Sequence, residues 1–171
     1  MAQSFKPDKI SVGLPWGIGT LEWTVDETEQ RAAWSLYVEL VTRIAVQPLP
    51  NDQGLVREAL TSLYKLFETT RETLKEAGPQ VGAAENSVGG MAIAVLNKGL
   101  RPFLSRWHPL LQSWEESRGA GVSPQEHEKT WAQEAVVRQE LETLRGELSQ
   151  YCEALAIAAG VSKTMLGDDE W

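Results

Sequence analysis

Residues 96–116, LNKGLRPFLSRWHPLLQSWEE, hold two tryptophans, a phenylalanine, two prolines, three basic residues and a histidine. Leu96, Leu100, Phe103, Trp107, Leu110 and Trp114 are spaced four, three, four, three and four apart, so a helix places all six on one face. Such a stripe is a seam for packing against other helices. Each of its aromatics removes on the order of 150–250 Å² from water when buried. The two prolines disturb a regular helix, because Pro102 lacks the bond to the Lys98 carbonyl and Pro109 the bond to Ser105. Either they bend the helix around its partner, or the chain breaks at Gly99, Leu100 and Arg101 and Pro102 opens a new helix.

A second reading makes the same stretch a site, with Arg101, Trp107 and His108 lining a small-ligand or nucleotide pocket between helices. Against a role for His108 as base or ligand, no histidine, cysteine or carboxylate lies three or four positions away on its face. That favours a hydrogen-bonded structural histidine. Lys98, Arg101 and Arg106 form a basic patch for a phosphate or an acidic partner surface, or are solvated and paired with Glu115, Glu116 and the acids further on.

The seam needs a partner, and the end of the chain supplies one. Val137, Leu141, Leu144, Leu148, Tyr151, Leu155 and Ala158 recur as a heptad pattern. The spacing predicts one long helix that starts at Ser123 as cap, has Pro124 at its first position and Glu126 closing a capping box, and ends at Gly160. Before the central stretch, Asp26 or Thr24 caps a first helix with Glu27 and Glu29 in its first turn. Its predicted inner stripe is Trp34, Tyr37, Val38, Val41, Ile44 and Ala45, and the run of Pro48, Leu49, Pro50, Asn51 and Asp52 stops it. A second helix turns Leu55, Leu60, Leu63, Leu66, Phe67 and Leu74 inward and closes at Gly78 and Pro79. The glycine- and alanine-rich segment 80–90 is a loop that runs into the third helix near Ser87.

Residues 1–25 follow another period. Ile10, Val12, Leu14, Trp16 and Ile18 alternate with polar or glycine positions, and Leu21, Trp23 and Val25 repeat the alternation. Period two predicts strands turning at Pro15, Trp16 and Gly17. The expected architecture is therefore all-α: an antiparallel four-helix bundle over 26–160, preceded by a short β-hairpin or extended arm at 1–25 and followed by an acidic tail at 161–171.

The chain of 171 residues fits one domain large enough to bury a core without metal or disulfide. A net charge of −8 and a pI near 4.8 oppose polyanions, so neither nucleic acid nor an anionic membrane is an expected partner. One cysteine, Cys152, a start without a basic-then-apolar signal, and no apolar run near the ~20 residues of a membrane span predict a soluble cytoplasmic protein. His127 stands between Glu126 and Glu128 at the wrong offset for a Glu-x-x-His metal motif, and no paired acidic motif for magnesium is in register. The run Ser87, Val88, Gly89, Gly90 lacks the Lys-Ser/Thr of a phosphate loop, and no Ser-His-Asp pattern stands out. No enzyme, metal site or cofactor is expected.

Arg101, Pro102, Phe103 and Leu104, then Trp107, His108, Pro109, Leu110 and Leu111, together with RAAWSLYVELVTRIAVQPL and LYKLFETTRETLK, resemble a set of uncharacterised helical proteins of actinobacteria and cyanobacteria. The likeness covers most of residues 20–160 and implies an accessory role beside bacterial conflict or antiphage modules. It brings no catalytic residue. The function expected is a non-enzymatic helical interaction module that binds a protein or itself, with Trp16 and Trp23 of the arm and Trp171 of the tail as partner contacts. Trp171 is either a docking residue or an accident of the tail. The alternative is the small-ligand sensor built on Arg101, Trp107 and His108.

Overall fold

The computed structural model describes residues 8–43, 47–50 and 52–161. The chain is mostly helical behind an N-terminal antiparallel hairpin. Strands β1 (Asp8–Leu14) and β2 (Gly19–Val25) pair from Asp8 opposite Val25 to Leu14 opposite Gly19. The Ile18 amide closes the turn on the Pro15 carbonyl, and both central residues, Trp16 and Gly17, have positive φ (60° and 73°). That is the backbone of a primed hairpin turn, whose twist matches the strands it joins. Val12, Leu14, Leu21 and Val25 are buried in the same core as the helices, and β1 packs on the last helix. The arm is thus a layer of the main body.

Asp26 caps helix α1 (Glu27–Val41) in a full capping box with Glu29. Its buried face is Ala32, Ala33, Leu36, Tyr37 and Leu40, which keeps Tyr37 of the expected stripe, with Val41 partly covered, and corrects Trp34 and Val38. Trp34 and Val38 are turned outward, at 44% and 38% exposure, because the smaller residues on the other side let α1 lie close against its neighbours. Ile44 and Ala45 lie outside the described residues.

Helix α2 (Val56–Ala77) buries Leu60, Leu63, Leu66 and Phe67 as expected and stops at Gly78, followed by a 3-10 turn at Pro79–Gly82. Ser87 caps helix α3 (Val88–Ala94) through the Gly90 amide. A Cβ on Gly89 or Gly90 would stand within 2.6 Å of the Val81 or Glu85 carbonyl oxygen, so this glycine pair lets α3 start tightly against the preceding loop.

Helix continues from α3 without a break through a π-helical segment (Val95–Leu100) into helix α4 (Arg101–Glu116). The wide turn is visible in the Arg101 amide, which donates to Leu96, five residues back. It falls directly before Pro102, where an amide donor is missing, a common place for the ladder to slip by one residue. Leu96, Leu100, Leu104, Trp107 and Leu111 are buried, while Leu110 is 39% exposed and Phe103 and Trp114 are partly covered. The seam therefore runs through Leu104 and Leu111, offset from the one expected.

The last helical stretch is two helices. Helix α5 (Pro124–Lys129) has the predicted Ser123 and Glu126 capping box, and helix α6 (Glu134–Ala159) begins after a turn. That turn buries Trp131, whose ring meets Trp107 edge-on at 6.0 Å. The predicted inner residues of α6, from Val137 to Ala158, are all buried, and Gly160 ends it. Helix α1 packs on α2 and α6, and α2 packs on α4 and α6. Contacts of Arg57 with Glu115 and of Tyr64 with His108 make α2 and α4 antiparallel. Among the described residues no helix is long and apolar enough to cross a membrane.

Candidate functional site

Trp16, at the hairpin tip, lies flat over Gly99 of the π segment: a Cβ there would stand 2.8 Å from the indole ring. Its Nε1 donates to Glu147 of α6 at 2.8 Å. Trp23 faces inward from β2, half-buried, with its Nε1 buried and lacking a hydrogen-bond partner. Both tryptophans are engaged within the chain. Trp171 lies outside the described residues.

The three residues proposed for a pocket do not converge. Trp107 is fully buried, donates from Nε1 to Glu140 at 2.6 Å and carries the Arg106 guanidinium over its ring. Arg101 points to α2, 5.2 Å above Phe67, and donates to Asn97. The Arg57 guanidinium lies 2.9 Å from His108 Nδ1, and since a guanidinium only donates, Nδ1 is the accepting nitrogen in this contact. The hydrogen bond expected of His108 is thus present, made within the chain. Of the basic trio, Arg106 pairs with Glu140, while Lys98 and Arg101 have no carboxylate partner among the described residues.

Concave surface forms elsewhere. A cavity of about 300 Å³ lies where α2 begins and α4 ends, lined by Leu55, Arg57, Leu111, Trp114, Glu115, Arg118, Pro124, His127 and Glu128. Its walls are fixed by mutual contacts. Arg57 grips both Glu115 oxygens at 2.8 Å. Trp114 and His127 stack at 4.5 Å and are tied both ways, Trp114 Nε1 donating to the His127 carbonyl and His127 Nε2 to the Trp114 carbonyl. Glu128 accepts the Val56 amide on both oxygens and the Arg138 guanidinium on one. Burial nevertheless pushes the Glu128 carboxyl above its usual range. Sequence gave no warning of this cavity, because Trp114 and His127 meet only when the chain folds back after α4.

A larger recess, about 730 Å³, opens beside α6 next to Leu49 and Pro50. Its charges answer one another: Arg138 binds Glu134, and Arg145 binds Glu142, holding that carboxyl below its usual range. The Cys152 thiol is buried and its pKa is pushed up to about 11, which leaves it protonated and unreactive at neutral pH. Among the described residues, no three His, Cys, Asp or Glu side chains gather around a potential metal position.

The remaining feature of note is convex. Trp34 and Val38, one turn apart on the outer face of α1, form an apolar strip, with Trp34 stacked on Tyr37 at 5.7 Å. The exposed Glu27–Arg31 pair lies on the same helical stripe, toward the start of α1. No family model matches this chain, and neither a curated protein nor a solved structure does.

Proposed function

We propose that this protein is a non-enzymatic helical interaction module, an accessory subunit that docks a helix of a partner protein along α1. The Trp34–Val38 strip carries the reading. A large apolar side chain half in water, braced by an aromatic neighbour and spaced one helical turn from a second apolar residue, has the form of an anchor for an incoming amphipathic helix. The exposed Glu27–Arg31 pair at one end of the strip supplies part of the polar rim such interfaces use. We read the body that presents it as an antiparallel four-helix bundle of α1, α2, the α3–α4 rod and α6. The packing of α2 against both α1 and α4 supports this. The buried, free Cys152 supports a reducing, cytoplasmic setting, and the acidic net charge argues for a protein partner over nucleic acid. The likeness to bacterial helical proteins points to a partner in a conflict or antiphage system.

The test is native purification of the tagged chain beside a Trp34→Asp, Val38→Lys variant and an Arg101→Gln control. A stoichiometric protein partner is expected with the wild type and the control. Its loss with the double variant, at unchanged circular dichroism, supports docking on α1. Identical recovery from all three, or a partner lost only with Arg101→Gln, moves the interface away from α1.

A further inference from the structure

We infer that the cavity between the start of α2, the end of α4 and α5 is a binding site for a small carboxylate with an apolar body. The claim is independent of the docking surface on α1. Three observations meet there. First, the volume of about 300 Å³ is at the lower end of what ligand pockets enclose, and Leu55, Leu111, Pro124 and the Trp114 ring give it apolar walls. That excludes a large or highly charged ligand such as a nucleoside triphosphate and admits a body of a ring or a short chain.

Second, the walls are formed in advance. Trp114 and His127 are locked to each other, and Arg57 is locked to Glu115, so these four lining residues are held in place without a ligand. A ligand entering such a cavity spends little on ordering side chains.

Third, the lining charges leave one cation over. Glu115 is answered by Arg57, and Glu128 by Arg138 and the Val56 amide. Arg118 lines the same cavity at its exposed side and has no carboxylate partner among the described residues. In a chain of net charge −8, with Glu116 two positions away, an unanswered guanidinium at the mouth of an apolar cavity is an acceptor for one anionic head group. A guanidinium takes a carboxylate through two parallel N–H donors, which orients the ligand with its apolar end inward.

The experiment uses the full chain, with 3-phenylpropionate, cyclohexanecarboxylate and hexanoate as probes and 3-phenylpropanol as the neutral counterpart. Titrations are followed by the Trp114 indole N–H resonance and by calorimetry. Saturable binding of at least one carboxylate that shifts the Trp114 signal is expected. The alcohol and the Arg118→Gln variant should bind about tenfold or more weakly, while Arg101→Gln binds as wild type. Because Arg118 is exposed, its replacement leaves the fold intact, which the spectrum itself reports. The assignment is overturned if none of the three carboxylates shifts Trp114 at concentrations approaching 10 mM, or if the alcohol or Arg118→Gln binds equally well.

Discussion

Glu29 and Glu128 are two buried glutamates, 5% and 6% exposed, and each accepts the first amide of a helix to which it does not belong. Glu29 on α1 takes the Val88 amide of α3 at 3.0 Å, and Glu128 on α5 takes the Val56 amide of α2 at 3.0 and 3.1 Å. They differ in how the charge is answered. The second oxygen of Glu29 accepts the Asp26 amide in the capping box, so backbone dipoles at two helix starts do most of the work. Glu128 instead faces Arg138, itself 8% exposed, which also donates to the Pro50, Gln53 and Gly54 carbonyls. A charge held by peptide dipoles depends on local geometry. A charge held by a buried cation ties distant segments together and fails when that cation is removed.

The contrast can be broken most severely at Arg138. Arg138→Ala strips the cation from a buried carboxylate and should cost about 3–5 kcal/mol in denaturant unfolding. The pH dependence sharpens the point. Because the folded Glu128 carboxyl is raised, folding favours its protonated form. Its stabilising contribution is complete below the ordinary carboxylate pKa and is lost as pH rises through the folded value. Without Arg138 that rise is larger, so the gap between variant and wild type should be widest near neutrality and narrow on acidification. A gap of constant size would assign the loss to the loop carbonyls.

At the other glutamate the effect is smaller. Glu29→Ala leaves the Asp26 and Val88 amides without acceptors and is expected to cost about 1–3 kcal/mol in thermal unfolding. Ser87 still caps Gly90, so the helical signal should persist below the transition. Loss of helix in the folded state would show that Glu29 starts α3 as well as steadying it. Arg31→Ala removes an exposed pair with Glu27 on α1 and should change the unfolding free energy by less than about 0.5 kcal/mol, which calibrates how little surface charge matters here.

Local chemistry was the legible part. Asp26, Ser87, Ser123 and Gly160 mark helix ends by hydrogen bonds within a few residues; the sequence names Ser123 and Gly160 outright, offers Asp26 beside Thr24, and places a helix start near Ser87. The heptad residues of α6 were legible because one long face is buried along its whole length. Faces that depend on tertiary contacts were not. Trp34 fits an apolar spacing as well as Leu36 does, and only the packing of α1 against α2 and α6 selects the face that holds Ala32 and Ala33. The turn between α5 and α6 is written in helix-forming residues and is imposed by burying Trp131 on Trp107. The cavity by Arg118 joins residues from Leu55 to Glu128, a span that no motif covers.

The hairpin tip also bears on how the chain is made. Trp16 meets Glu147 across 131 residues, and β1 and α1 both lean on α6. During synthesis the hairpin and α1 leave the ribosome well before the helix that covers them, at roughly 5–20 residues per second. For several seconds their apolar inner faces lie open. Closure of the core therefore awaits release of α6, and a nascent chain stalled before residue 134 would be a client for chaperones.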